Sequence, residues 1–533
     1  MTSQTSLARG AALITIATAV SRVTGFVRVV VVAATMGSTF LANTYQTANT
    51  APNVVFELVA AGVLTSIFVP TFVSYLVRGR EEEGWTAANA LASTALAALV
   101  VLSALVALAA PWVMRLLTIG VADPQLRAQE VKLGATFLRL FAPQIAFYGA
   151  GMIMTGALHA HRRFALPAIA PILNNIVVIG VYLAYAAMRG GRDPSVTGIT
   201  DGEVLLLGAG TTAGVIVMTV CLVPQLARLG WRFRFNFDVS HPAVRKGARL
   251  GVWALGYAGG YQAGLIVVLL LANKVEGGVA AYQWAFTFFY LPHALFAIPI
   301  FHVLFTAMAE HVARDESSRF VGRLRDGLGM LAFLLFPLSA FLAVAADGLT
   351  RLTLEYGVMT EAGADQVATV LVAFAVGLPS YSAFLVFTRA FYAFGEVKTP
   401  ALVNAASVAA ASVLGAVFFF WFPDRAAVAG LALGHSAGFA LGLLLISRAF
   451  RRRWSPVADA LAVSVRRTVV MSVAALGAMT AASATLPASS KVALAVNMAG
   501  TAVAGALVYL GGMKLARAPE LRRLRSLLPG AAA

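Results

Sequence analysis

Ser21-Arg22-Val23-Thr24-Gly25-Phe26-Val27-Arg28 lies inside an apolar segment that runs from about residue 11 to residue 37. At ~1.5 Å per residue a helix of that length reaches ~39 Å, enough to cross a bilayer with some tilt. The first span therefore carries Arg22 and Arg28 at membrane depth. An arginine there costs ~2.5–3.5 kcal/mol on insertion scales. Three arrangements accommodate it: a water-filled cavity that receives an anion, snorkelling to an interface, or pairing with an acid on a neighbouring helix. Two arginines set ~9 Å apart along one axis fit the cavity better than snorkelling. Residues six apart also lie ~120° apart around a helix, so the two share a face only if Gly25 lets the segment bend.

The rest of the chain has the same character. Of 533 residues, 59% are hydrophobic and 12% charged, with a mean hydropathy of +0.82, whereas soluble domains carry about 25% charged residues. The apolar runs are long and do not alternate, so the expected class is an all-α polytopic membrane protein and not a barrel. Fourteen spans are expected, near 11–37, 43–75, 85–114, 132–158, 164–188, 203–227, 247–272, 279–310, 324–350, 366–394, 399–422, 427–447, 467–487 and 492–513. The polar start holds one arginine, Arg9, and no cleavage-type boundary follows, so the first span is read as retained. A single cysteine, Cys221, excludes an intramolecular disulfide.

Charge sets the orientation. An even number of spans puts both termini on one side. Lys and Arg are roughly threefold more frequent in the loops on that side, which marks it as cytoplasmic. The net charge of +17 then needs no nucleic acid, and the inner-face cations are expected to attract anionic lipids. No Walker loop, Gly-x-Ser-x-Gly or zinc-binding motif occurs, so neither a cofactor nor an enzymatic activity is expected.

In the second segment Asn49-Thr50-Ala51-Pro52-Asn53 interrupts the apolar run, and Pro52 removes a backbone donor. Carbonyls freed at that depth face protein or water, or the proline makes a simple kink. Asn49 and Asn53 are candidate polar contacts for a substrate. Glu57 is a candidate partner for Arg28 or Arg22, or else part of a solvated wall. Further on, residues 156–168 and 389–401 align without gaps at an offset of 233, each ending one span and opening the next with Pro-Ala. Pro143 and Pro379 recur upstream with a three-residue slip. Two related halves in parallel orientation are inferred, 1–235 and 236–450, with 451–533 holding the last two spans and a basic tail. Arg139 and Arg389 occupy corresponding spans, where each faces a cleft or snorkels. His293, His302 and His435 lack ligand spacing and are read as neutral, hydrogen-bonded core residues.

These pieces together resemble the MurJ (MviN) lipid II flippases. The matching motifs are Ser21-Arg22-x-x-Gly25-Phe26-x-Arg28, Pro52-Asn53 followed by Ala60-x-Gly62 and Phe68-Val69-Pro70, and Phe164-x-x-Pro167-Ala168-x-Ala170-Pro171 with Asn174 or Asn175 beyond. Leu354-x-Tyr356-Gly357 and Phe391-Tyr392-Ala393 with Lys398-Thr399-Pro400 complete them. The resemblance implies two six-helix lobes around a central cavity plus a C-terminal pair that guides a lipid tail. It implies movement of an undecaprenyl-pyrophosphate-linked peptidoglycan precursor to the outer leaflet of the bacterial cytoplasmic membrane, with the cell-wall synthesis machinery as a possible partner. Arg22 and Arg28 stand where the family has its first-span cavity arginines. The family's second-span arginine aligns with Phe56, its acids with Asn43 and Ala61, and its eighth-span Asp-Arg pair with Phe286-Thr287.

The substrate site expected on these grounds comprises Arg22, Arg28, Asn49, Asn53, Glu57 and Arg389, with Arg389 supplying a cation from the later half. Two other readings use the same fold or class: an exporter of drugs or of another polyprenyl-linked glycan, and a cell-wall scaffold that transports nothing.

Overall fold

A computed structural model describes residues 2–63, 81–161, 163–231, 233–238, 259–454 and 458–522. The second part of the second expected span, the start of the seventh, Arg162 and the end of the basic tail lie outside the described residues, as does the Phe68-Val69-Pro70 motif.

The regular structure of the described residues is helical. In order it forms α1 (Thr2–Met36), α2 (Phe40–Val63), α3 (Glu81–Leu117), α4 (Pro124–Phe141), α5 (Gln144–Ala160), α6 (Ala165–Arg189), α7 (Asp201–Val220), α8 (Val223–Arg228) and α9 (Gly259–Ala272). It continues with α10 (Gly278–Pro292), a π turn (His293–Ala297), α11 (Ile298–Ala313), α12 (Ser317–Leu354), α13 (Glu361–Ala393), α14 (Lys398–Trp421), α15 (Ala427–Trp454), α16 (Ala458–Thr485) and α17 (Lys491–Leu515). Twelve helices among the described residues are long and apolar enough to cross a membrane. Fourteen spans were expected. The second coincides with α2, whose first half is polar, and the seventh is represented by the short apolar α9.

Local chemistry sets the helix ends. Asp123 caps α4 by accepting from the Gln125 amide at 2.8 Å, with Pro124 at the first helical position. Thr200 and Glu203 make a reciprocal capping box at the start of α7. Pro143 separates α4 from α5, whereas Pro379 lies within an unbroken α13. The inferred repeat is visible in these ends: α5 stops at Ala160 and α13 at Ala393, and α6 starts at Ala165 and α14 at Lys398, both pairs 233 residues apart. In the eighth expected span, Pro292 cannot donate to the preceding turn, and the π turn that follows closes with the Ile298 amide on the His293 carbonyl.

The chain forms two compact units. The first holds Met1–Val279 with Tyr356–Met359, so α9 clusters with it; the second holds Ala280–Glu355 and Thr360–Ala533. In the first, α1 packs along α6, and α4 packs on α2, α3 and α7. Gly357 (φ +62°) lets the Tyr356–Met359 segment meet the end of α1. There the Val358 amide donates to the Ala34 carbonyl at 3.0 Å, and a Cβ at Gly357 would lie 2.2 Å from that oxygen. This is the physical content of the Tyr356-Gly357 motif.

In the second unit α14 and α15 pack backbone to backbone. Gly430, Gly434, Gly438 and Gly442 recur every fourth residue of α15, and a Cβ at Gly434 would lie 2.2 Å from the Gly415 Cα. Small residues at this spacing let membrane helices approach closely enough for dispersion contacts to hold them. At the far end of α12, Arg351 lies among Asp347, Glu355, Glu361 and Asp365, while Lys491 donates to the Arg351 carbonyl at 2.6 Å. This ion-pair network ties α12, α13 and α17 together.

Candidate functional site

The expected site begins on α1, which runs as a continuous helix through Gly25. Without a break there, Arg22 and Arg28 differ in surroundings, as their angular separation requires: Arg22 is exposed and Arg28 half-buried. One stripe of α1 (Ile16, Val20, Val23 and Val27) is bare. The opposite side is clamped to α6 by a buried asparagine. Asn175 Nδ2 donates to Thr24 Oγ1 at 3.0 Å and to the Ser21 carbonyl at 3.3 Å. Thr24 Oγ1 in turn donates to that same carbonyl at 3.1 Å. Gly25 is the contact point, since a Cβ there would lie 3.6 Å from Asn175 Nδ2. Asn175 thus fastens the turn between the two arginines. At the other end of α1, buried Arg189 donates from Nη1 to the Thr35 carbonyl at 3.1 Å.

Arg28 lies within electrostatic reach of three tyrosines: Tyr45 on α2, Tyr148 on α5 and Tyr182 on α6. Tyr45 Oη is bonded to Thr211 Oγ1 at 2.6 Å and to Tyr182 Oη at 3.1 Å, deep among the rings of Phe137 and Phe141. Among the described residues no carboxylate pairs with Arg28. A half-buried cation with no carboxylate partner among the described residues is a receptive point for an anion.

The second expected span behaves differently from its sequence reading. α2 passes through Pro52 without losing helical backbone, so the interruption is no break. Asn53 Nδ2 donates to the Asn49 carbonyl one turn back at 3.0 Å, folding its side chain onto its own helix. Asn49 Oδ1 is buried and has no hydrogen-bond partner among the described residues. Glu57 does not pair with Arg22 or Arg28 among the described residues. It is exposed and accepts a 2.5 Å bond from Gln262 Nε2 on α9, a contact one carboxylate oxygen makes with a neutral amide. In the second unit Arg389 is exposed near the end of α13, its guanidinium 5.9 Å from the ring centre of Tyr392. Arg22, Arg28, Asn49, Asn53 and Glu57 thus lie in one unit, and Arg389 in the other.

A family model described as lipid II flippase MurJ matches residues 32–499. The chain belongs to that family. Curated relatives include a probable lipid II flippase MurJ of Rhizobium tropici, 25% identical over 82% of this chain and 79% of its own. Another is the lipid II flippase MurJ of Burkholderia cenocepacia, 25% identical over 83% of this chain and 84% of its own. Among solved structures, a lipid II flippase MurJ in an inward closed conformation superposes with a TM-score of 0.78 at 20% identity, covering 96% of this chain and 99% of that one. An inward-facing multidrug resistance MATE transporter gives 0.65 at 13% identity, covering 82% and 95%. These structural likenesses show a shared fold, and neither a drug exporter nor a non-transporting scaffold is favoured by the relatives.

The positions where this chain departs from the family pattern have structural occupations. Phe56 is buried against Tyr148 and a cluster that includes Ala92, Ile153 and Met154, so packing fills that position. Asn43 accepts from the Val279 amide at 3.0 Å and donates to the Val275 carbonyl at 2.8 Å, clamping the segment ahead of α10. Phe286 joins an aromatic group with Phe289, Phe374 and His435, and Thr287 bonds within its own helix to the Gln283 carbonyl. His293 is buried with Nδ1 2.8 Å from Ser382 Oγ, as a core histidine. His435 sits among rings, and its Nδ1 has no partner among the described residues. The His302 side chain lies outside what is described.

Sequence reasoning named Asn174 or Asn175 within a motif but assigned neither a role. It missed Tyr45, Tyr148 and Tyr182 entirely. Their signal was an aromatic residue with a polar tip inside an apolar span, which finds a partner when buried.

Proposed function

We propose that this chain moves lipid II from the inner to the outer leaflet by alternating access, with Arg22 and Arg28 holding the pyrophosphate. The observation that carries the reading is Arg28 itself: half-buried in a membrane span, near three tyrosines, with no carboxylate partner among the described residues. A pyrophosphate must leave water to cross, and a guanidinium offers it a planar fork of donors that stays charged at any working pH. Asn49, Asn53 and Glu57 supply polar contacts to the head group, and Arg389 a further cation for the same substrate. The halves 1–235 and 236–450 rock while 451–533 guides the polyprenyl tail, which never leaves the apolar phase. Both termini are cytoplasmic. Anionic lipids gather at the basic inner loops, and the cell-wall synthesis machinery is the expected protein partner. No covalent bond is made or broken in such a cycle.

The test is a reconstituted flipping assay with lipid II and with other polyprenyl-linked substrates. Arg28→Ala and Arg22→Ala abolish flipping of lipid II while expression holds, because each removes a charge set within a membrane span. Lysine at either position restores part of the rate, lacking the bidentate fork. Arg389→Ala slows it. Full activity with both first-span arginines replaced by alanine overturns the site, and preference for a different head group overturns the substrate.

A further inference from the structure

We propose that the groove between α3 and the α4–α5 pair is a binding site for an anionic glycerophospholipid, with the phosphate on Arg139 and an acyl chain along the groove. The cavity measures about 480 Å³. Val100, Ala104 and Ala107 line one wall, and Ala142, Ala146 and Ala150 the other. Alanines one helical turn apart on both walls leave a channel where larger side chains would interlock. Its mouth opens on the membrane-facing stripe of α3, where Val100, Val101, Leu105 and Leu108 are all exposed.

Two polar groups in this apolar channel have no hydrogen-bond or acidic partner among the described residues. Arg139 lines it, is exposed, and pairs with no acid among the described residues. Ser103 also lines it; its side chain is 9% exposed and its Oγ has no hydrogen-bond partner among the described residues. Arg139 lies six residues, ~9 Å, inside the apolar start of its span at Leu133, and its long stem covers most of that depth toward the head groups. A bare cation at this position is costly, and a phosphate satisfies it with charge-assisted bonds. A partner helix docking on the alanine stripe would need to bring a carboxylate to do the same. The inference is independent of the flipping reading, since a chain that flips nothing would still hold this lipid.

The test is native mass spectrometry of the full-length protein with phosphatidylglycerol or with phosphatidylcholine of identical chains. The wild type retains phosphatidylglycerol in preference to phosphatidylcholine. Arg139→Gln lowers the phosphatidylglycerol adduct about fivefold, the worth of one basic residue near an anionic lipid surface. Arg139→Lys, which keeps the charge, lies between. Ala146→Leu narrows the channel and lowers adducts of both lipids, and Arg115→Gln, an exposed cation outside the groove, changes nothing. Equal retention of the two lipids overturns the proposal, and so does an undiminished adduct in Arg139→Gln. Binding of undecaprenyl phosphate in place of phosphatidylglycerol, or a dimer lost on Ala146→Leu, overturns it in favour of another occupant.

Discussion

The contact between Asn175 and the turn that separates Arg22 from Arg28 can be measured by a double-mutant cycle. Asn175 Nδ2 makes two bonds to α1, one to Thr24 Oγ1 and one to the Ser21 carbonyl. Hydrogen bonds between membrane helices average ~0.6 kcal/mol in such cycles, with a maximum near ~1.7. Asn175→Ala loses both bonds and is expected to destabilise the fold by about 1.2 kcal/mol on that average. Thr24→Ala loses one of them, about 0.6 kcal/mol, and leaves the Ser21 bond in place. The double variant costs no more than Asn175→Ala alone, so the coupling energy is about 0.6 kcal/mol. Reversible unfolding in mixed detergent micelles reads all four stabilities, and lipid II flipping by the same preparations reads function. If the clamp positions the arginines, Asn175→Ala slows flipping under conditions where the protein remains folded. A coupling energy indistinguishable from zero refutes the clamp. Normal flipping by a measurably destabilised Asn175→Ala refutes its role in positioning and leaves it a packing contact.

Three further outcomes are expected. Gly434→Ala puts a Cβ 2.2 Å from the Gly415 Cα, a backbone atom, so thermal unfolding should register a loss of about 1–3 kcal/mol; an unchanged melting curve refutes the close packing of α14 on α15. At the start of α12, the His311 bond and then Arg319 hold the Glu316 carboxyl below its ordinary range. A depressed folded-state value means stability that is present above the unfolded value and lost as pH falls through the folded one. The melting-temperature gap between wild type and Glu316→Gln should therefore shrink on acidification below the usual glutamate range, and a gap that widens contradicts it. Reporter fusions after residues 80, 163 and 325 should read cytoplasmic and one after 425 external; the reverse pattern overturns the orientation.

The fold was legible because a bilayer leaves the backbone few options. Long apolar runs in a chain this poor in charge become helices, and their ends carry their own signals, such as Asp123-Pro124 or the Thr200–Glu203 box. The repeat was legible too, because residues 156–168 and 389–401 encode helix ends that recur with the same offset. Between the two arrangements left open at Pro52, the sequence alone could not choose. Proline removes one donor, and a helix interior can absorb the loss of that single bond; in α2 the helix continues through Pro52. The Gly430–Gly442 spacing was readable, since a glycine every fourth residue predicts close helix approach, yet a composition rich in small residues hides it. Each tyrosine near Arg28 carried a local signal, but their convergence was not readable. They come from α2, α5 and α6, and nothing local to Tyr45, Tyr148 or Tyr182 says that they converge.

The distribution of acids explains why a cationic site can exist here. Many of the described carboxylates are engaged near helix ends: Glu203 with Arg192, Glu316 with His311 and Arg319, Glu355 with Lys491, Glu396 with Arg453, and Glu520 with Arg467. Of the arginines set within spans, Arg28, Arg139 and Arg389 have no acidic partner among the described residues. A carboxylate beside Arg28 would lower the cost of holding that charge in the membrane, and it would also compete with every anion that arrives. Glu57, the acid nearest in sequence on α2, is instead held by the neutral amide of Gln262. Phenols are a compromise between these demands. Their dipoles lie within electrostatic reach of the guanidinium and carry no charge that would cancel it. The Tyr45–Thr211–Tyr182 bonds also fix two of those rings in place before an anion is bound. On the proposed reading, the cost of keeping Arg28 unpaired in the first span is the free energy that an incoming pyrophosphate would recover.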